Sequence, residues 1–280
     1  MSIGRRSFLA TAAAGAGAAI VAACGGGRRS SISSTTTPVR AAGQQTTAPR
    51  QGARGSSSSA STGTGREASP SATTVPSHTG PATFVAHGPT TSSGVALTFH
   101  TAGPVAITDD ILAQAAALGA RLTFFVVGQW VTANPGMARK IVAGGHELGN
   151  HTWSHIDLPK LGPDAMRAEV QRCADVLVAQ TGSASRWFRP SQTDVPSPAI
   201  LTSAGAVGYA TSVGYDVDPL DYNNPGAATV LARTRSRLHP GAIVSLHTLY
   251  PGTARAFADI VAAVRAKGLE AVTVSSVLGP

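Results

Sequence analysis

Short apolar runs alternate with amphipathic helical patterns along residues 94–278, and this alternation most restricts the folds open to the chain. Several of the helical segments begin at Thr, Asp or Pro and end at Gly, as helices commonly do. Strand–helix order repeated about seven times predicts an α/β domain, a parallel sheet covered by helices and either open or closed into a barrel. In such a barrel the functional site lies at the carboxyl ends of the strands. The strand-like runs are GVALTF, RLTFFVVG, HELGNH, RWFRP, VGYATSV, GAIVSLH and EAVTVSSV.

The N-terminal part of the chain has the composition of an export signal and a linker. Arg5 and Arg6 precede a short Ala/Gly-rich stretch that ends in VAAC, with the cysteine at Cys24. This pattern predicts a twin-arginine-type lipoprotein signal peptide over residues 1–23 and lipidation of Cys24. The alternative is an ordinary cleaved secretory signal with an incidental cysteine. Residues 24–81 are rich in Ser, Thr, Gly and Pro and predict a disordered tether, which leaves residues 82–280 as the folded domain. The predicted location is therefore outside the cell, anchored to the outer face of the cytoplasmic membrane and facing the cell wall.

The positive charge of the chain belongs to its N-terminal part. The formal net charge is +8, but residues 1–81 contain eight arginines and one glutamate, whereas residues 82–280 contain 14 basic and 13 acidic residues. The domain therefore lacks the basic surface of a nucleic-acid-binding protein, and we predict a monomer with no nucleic-acid partner. Apart from Cys24, Cys173 is the only cysteine, so the fold must be stable without an internal disulfide.

Polar residues gather where the predicted strands end. His151 and His155 are four residues apart, which places both rings on one face if that turn is helical. Neutral imidazoles in this arrangement suit Zn²⁺, Co²⁺ or Ni²⁺, although a pair of capping or core histidines is the alternative. The polar residues at strand ends are His100, Thr101, His151, His155, Arg189, Asp218, Asp221 and His247.

The motifs HTWSH, FRPSQTD, DVDPLDY and SLH occur in the order in which the carbohydrate esterase 4 family, the NodB-like polysaccharide deacetylases, carries its own. Residues 94–278 resemble that family. The resemblance implies a distorted (β/α)7-type barrel and a metal-dependent hydrolase. Its substrate would be an N-acetylated polysaccharide of the cell wall, such as peptidoglycan or a chitin-like polymer. An O-acetyl esterase, or a catalytically inactive glycan-binding lipoprotein, is the alternative on the same fold.

The resemblance also implies residue roles. His247 would be the general acid, tuned by Asp218, and Arg189 would orient the base. A divalent metal, with Zn²⁺ expected and Co²⁺ or Ni²⁺ as alternatives, would bind His151 and His155. The implied substrate-binding residues are Trp153, Tyr222 and Pro190.

The first family motif, TFDDG, is replaced here by TFHTAG, so that His100 stands for the aspartate base and Thr101 for the aspartate metal ligand. His100 could be a third imidazole ligand, completing a His₃ site with His151 and His155. It could instead act as the base, since histidine has an intrinsic pKa near ~6.5. It could also do neither, in a domain that only binds glycan. We take the ligand role as the working prediction.

Overall fold

The computed structural model describes residues 77–279. The chain divides into two units, Met1–Thr64 and Gly65–Pro280, and all described residues belong to the second. The predicted signal peptide, the lipidation site Cys24 and most of the predicted tether lie outside the described residues.

The strands form one parallel sheet that curls into a barrel. The order is β1-β6-β5-β4-β3-β2-β7, with β8 paired to the start of β2. The sheet does not close between β1 and β7, and an isolated bridge joins Val217, in the segment after β6, to Val244 on β7. The predicted barrel architecture is confirmed in this curled, incompletely closed form. The strands are β1 (Thr83–Val85), β2 (Gly94–Thr101), β3 (Thr123–Val126), β4 (Glu147–Asn150), β5 (Trp187–Phe188), β6 (Thr211–Val213), β7 (Ile243–His247) and β8 (Glu270–Val272).

Helices follow most strands, as the alternation predicts. They are α1 (Val105–Leu118), α2 (Gly128–Ala133), α3 (Met137–Ala143), α4 (Pro163–Thr181), α5 (Pro198–Ala206), α6 (Ala227–Arg237), α7 (Pro251–Ala266) and α8 (Val274–Leu278). Short 3₁₀ turns lie at Leu158–Lys160 and Asp221–Asn223. Among the helices of residues 77–279, none has the length and apolar character needed to cross a membrane.

Only the first part of the last predicted strand is a strand in the structure. The run EAVTVSSV forms β8 over its first three residues and then turns into α8. Thr273 causes the change, because its side chain accepts a hydrogen bond from the backbone N–H of Ser276 and so caps a helix rather than continuing a strand. Strand β1 lies outside all of the strand-like runs of the sequence.

Helix α8 fills the end of the barrel opposite the strand carboxyl ends. Val274 and Val277 pack in one buried cluster with Phe125 and Trp187 from the barrel interior. Glu147 strengthens this closure, since its carboxylate accepts hydrogen bonds from Trp187 Nε1 at 2.7 Å and from the backbone N–H of Ser275 at 3.2 Å. The interior is therefore filled with side chains at this end.

Candidate active site

A cavity of about 510 Å³ opens at the carboxyl ends of the strands. Side chains from β2, from the turns after β4, β5 and β6, and from β7 reach it, as expected for a parallel α/β barrel. The structure thus brings most of the predicted site residues together. The cavity is lined by His100, Thr101, Ala102, His151, His155, Pro190, Gln192, Thr193, Asp194, Tyr215, Tyr222, His247, Leu249 and Tyr250.

His100, His151 and Arg189 form a closed ring of hydrogen bonds. Arg189 Nη1 lies 3.1 Å from His100 Nε2, His100 Nδ1 lies 3.0 Å from His151 Nε2, and His151 Nδ1 lies 2.9 Å from the carbonyl oxygen of Arg189. A guanidinium can only donate and a carbonyl can only accept, so the direction of all three bonds is fixed. His100 carries its proton on Nδ1 and donates it to Nε2 of His151, whose own proton is on Nδ1.

This ring of hydrogen bonds bears on the roles predicted for His100. Its Nδ1 holds a proton, and its Nε2 lone pair accepts from Arg189, so neither nitrogen offers a lone pair to a metal or to a water in the cavity. Burial, followed by the nearby His151, holds the pKa of His100 well below its ordinary value, which keeps the ring neutral. The geometry therefore does not support the predicted ligand role or the base role. Thr101 supplies no carboxylate, and its hydroxyl turns back to the carbonyl oxygen of Phe99 at 3.3 Å.

Arg189 is a buried cation whose hydrogen-bond partners are all neutral. Its side chain is 1% exposed. It donates to the carbonyl oxygens of Val213 and Gly214, at 2.9 and 2.8 Å, and to the hydroxyl of Thr98 at 2.8 Å. Burial lowers its pKa to about 9, so it remains charged at neutral pH. The predicted contact between Arg189 and the residue in the base position is present, but that residue is an imidazole instead of a carboxylate.

His247 is oriented by a fully buried aspartate. Its Nδ1 donates to Asp221 Oδ1 at 2.7 Å, and its backbone N–H donates to Asp221 Oδ2 at 2.8 Å. The hydroxyl of Thr253 donates to the same Oδ2 at 2.7 Å. These bonds leave Nε2 of His247 free of its aspartate partner, on the ring edge opposite Asp221.

The aspartate that contacts His247 is Asp221, so the tuning role predicted for Asp218 is corrected. Asp218 accepts a hydrogen bond from the backbone N–H of Leu220 at 2.8 Å and shapes the turn that carries Asp221. Leu220 has a φ of 55°, and the aspartate-capped turn supports this left-handed backbone. The pKa of Asp218 is raised, chiefly by burial.

The imidazoles of His151 and His155 form a pair, with their centroids 4.9 Å apart. The bond from His151 Nδ1 to a backbone carbonyl is how proteins commonly fix a metal-ligating histidine. Burial lowers the pKa of His155, which favours its neutral form, the form that binds metals. Within residues 77–279, no three His, Cys, Asp or Glu side chains are arranged to hold a metal ion. The pair fits a divalent cation in donor type, and in this hydrogen-bond arrangement His100 has no free lone pair to add.

Two of the three predicted substrate-binding residues line the cavity. Tyr222 is 45% exposed, with its ring centroid 5.7 Å from that of His247. Pro190 is buried and also lines the cavity. Trp153 is not among the lining residues. Its ring packs against Gly128, where an added Cβ would approach it to 2.6 Å, and under the guanidinium of Arg172 at 4.3 Å. Trp153 thus packs against α2 and α4, and its predicted role in substrate binding stays a prediction.

Sequence reasoning missed three residues that shape the site. Ser245 Oγ lies 3.2 Å from His100 Nε2, and Thr98 holds the guanidinium of Arg189. Tyr215 lines the cavity and donates its hydroxyl hydrogen to Asp194. Thr98 and Ser245 could have been found from strand alternation, because each lies two residues before a predicted site histidine on the same strand face. No comparable signal marks Tyr215.

Comparison with known proteins gives a consistent picture. Residues 87–212 match the family model described as "Polysaccharide deacetylase". A chitooligosaccharide deacetylase of Sinorhizobium fredii is 31% identical over 159 residues, which cover 56% of this chain and 73% of the relative. A peptidoglycan-N-acetylglucosamine deacetylase of Bacillus cereus is 28% identical over 198 residues, which cover 68% of this chain and 70% of the relative. Relatives differ in length, and the chain spans 49% of one and 86% of another.

Similar solved structures include a peptidoglycan N-acetylglucosamine deacetylase, with a TM-score of 0.66 and 26% sequence identity, and proteins described as pseudoenzymes. The structure of a CE4 family pseudoenzyme from Bacillus anthracis matches with a TM-score of 0.65 and 26% sequence identity, covering 70% of this chain and 69% of that one. The described residues therefore share their fold both with a protein named as a deacetylase and with proteins named as pseudoenzymes.

Proposed function

Because the chain belongs to the polysaccharide deacetylase family, hydrolases that act on N-acetyl amide bonds, we propose that it removes N-acetyl groups from a cell-wall polysaccharide. The substrate class is a polymer of N-acetylglucosamine, of the peptidoglycan or chitin type. Two relatives support this choice, since they are named as deacetylases of peptidoglycan N-acetylglucosamine and of chitooligosaccharides.

The observation that carries the proposal is the pairing of His247 with Asp221. Amide hydrolysis must protonate the departing nitrogen, and an imidazole at the cavity wall is suited to deliver that proton. The buried carboxylate accepts the Nδ1 hydrogen of this imidazole and fixes the orientation of its ring. A domain that only bound glycan would not need a buried aspartate, with three hydrogen bonds accepted, to aim one histidine into the cavity.

His151 and His155 are the residues that would hold the divalent metal, as deacetylases of this family generally require one. When bound, such a metal polarises the acetyl carbonyl and lowers the pKa of a water. Zn²⁺ remains the expected ion, with Co²⁺ or Ni²⁺ as alternatives, since neutral imidazoles suit all three. Tyr222 and Pro190 would contact the sugar at the cavity wall.

Glycan binding without catalysis is the second candidate, and one observation favours it. The guanidinium of Arg189 faces an imidazole at position 100, where the family has its aspartate base. Without that carboxylate, no side chain in the ring of His100, His151 and Arg189 can accept a proton from water.

Acetate release tests the proposal. The full-length protein, supplied with Zn²⁺, Co²⁺ or Ni²⁺, is incubated with peptidoglycan and with chitooligosaccharides, and both acetate and new amino groups are quantified. We expect the two to appear in equal amounts. Acetate without amine would indicate an O-acetyl esterase. Binding of the glycan without acetate would indicate the second candidate.

We also propose that the protein is exported and held at the outer face of the cytoplasmic membrane by a lipid on Cys24, as a monomer. The support is the VAAC sequence after the twin arginines Arg5 and Arg6. Changing Cys24 to Ser should move the protein from the membrane fraction to the soluble exported fraction, because the acylated thiol is lost. Immunoblotting of the fractions measures this. Full retention of Cys24→Ser in membranes would place the anchor elsewhere.

A further inference from the structure

We propose that His100 weakens metal binding in this chain, by occupying the one nitrogen of His151 that a metal would bind. The inference rests on the proposed function in one respect, the assignment of the metal to His151 and His155. A third ligand would raise the metal affinity of the site, whereas here His100 would lower it.

The direction of the hydrogen bonds carries the first step. If His100 bound a metal through Nδ1, both of its nitrogens would have to act as lone-pair donors, since Nε2 already accepts from Arg189. That would require an imidazolate. A protonated His100 is excluded as well, because its Nε2–H would point at the N–H of the guanidinium. The neutral form with its proton on Nδ1 is the one that satisfies every neighbour.

The second step is the position of that proton. It lies between His100 Nδ1 and His151 Nε2, which are 3.0 Å apart. Because His151 Nδ1 donates to the carbonyl of Arg189 at 2.9 Å, Nε2 is the nitrogen left for a metal. A metal at His151 therefore has to displace the proton that His100 donates.

The third step is that His100 is held in place. Its side chain is buried, and its ring stacks on that of His247 at a centroid distance of 4.5 Å and an interplanar angle of 26°. The ring of His151 stands against its edge at 4.6 Å and 89°. Ser245 adds a contact to Nε2 at 3.2 Å. A ring confined on these sides cannot simply swing out when a metal arrives.

The experiment measures Zn²⁺ affinity in the full-length protein, by competition with a chromophoric chelator and without substrate. We expect His100→Ala to bind Zn²⁺ about 3–10-fold more tightly than wild type, because a net hydrogen bond no longer opposes the metal. Adding His155→Ala to that variant should abolish the gain. His146→Ala, which removes another buried histidine outside the cavity, should leave the affinity unchanged.

A drop in affinity of about 10–100-fold in His100→Ala would overturn the proposal, since that is the effect of losing a metal-supporting group. Unchanged affinity, or no binding by either protein, would overturn it too. If His100→Ala does not fold, ¹⁵N NMR of histidine-labelled wild type can instead determine which nitrogen of each imidazole carries the proton. Both His100 and His151 should carry their protons on Nδ1, and a proton on Nε2 of either ring contradicts the proposal. Acetate release plays no part in these measurements, so a failed deacetylase assay and a failed metal-site proposal are separate results.

Discussion

His247→Ala is expected to lower kcat for acetate release by about 10²–10⁴-fold, the usual contribution of a general acid. His247 is the histidine that a buried carboxylate, Asp221, aligns at the cavity wall. Its loss removes the proposed proton donor to the departing nitrogen but leaves in place Tyr222 and Pro190, which are proposed to contact the glycan. KM should therefore change much less than kcat. Steady-state kinetics on a soluble chitooligosaccharide measure both constants.

The chain offers a matched control for this variant. His239 also pairs with an aspartate, Asp216, at 2.6 Å, but neither residue lines the cavity. His239→Ala should keep the kcat of wild type. A kcat for His247→Ala equal to that of His239→Ala would show that the histidine–aspartate pair at the cavity plays no part in the reaction.

Arg189→Met is expected to lower the free energy of unfolding by about 2–4 kcal/mol, because it removes a buried group and leaves several acceptors unpaired. The methionine can fill part of the space beside Phe125, over which the guanidinium lies at 4.0 Å. It cannot donate to the carbonyl oxygens of Val213 and Gly214 or to Nε2 of His100. Urea unfolding followed by tryptophan fluorescence gives the free energy.

Arg186 provides the comparison for Arg189→Met. It is exposed, and its guanidinium lies 4.7 Å from the ring of Trp187. Arg186→Met should cost less than about 1 kcal/mol, since an exposed cation–π contact contributes little. Equal losses for the two variants would mean that the hydrogen bonds of Arg189 do not stabilise the fold.

The sequence predicts the barrel well, because strand–helix alternation is a local pattern that any parallel α/β fold must follow. It also predicts which strand ends meet at the cavity, since parallel strands place their carboxyl ends together. It fails at α8, where a β-branched run looks like a strand and one capping bond from Thr273 makes it a helix.

The site shows where local patterns stop being informative. Asp218 and Asp221 stand three residues apart in one motif, and spacing alone does not tell which carboxylate turns towards His247. The turn at Leu220, with its left-handed backbone, makes that choice. The role of His100 depends on a donor 89 residues away in the chain, Arg189, and on the fact that this donor has no lone pair to offer in return.

Among residues 77–279, the packing of α8 closes the barrel interior at the end opposite the cavity. Val274 and Val277 fill the interior at that end, so a polymer chain cannot pass through the barrel. Under the proposed deacetylase function, a long polymer would therefore lie across the opening of the cavity and present one acetyl group to it at a time. The released acetate would then leave through the same opening by which the acetyl group entered.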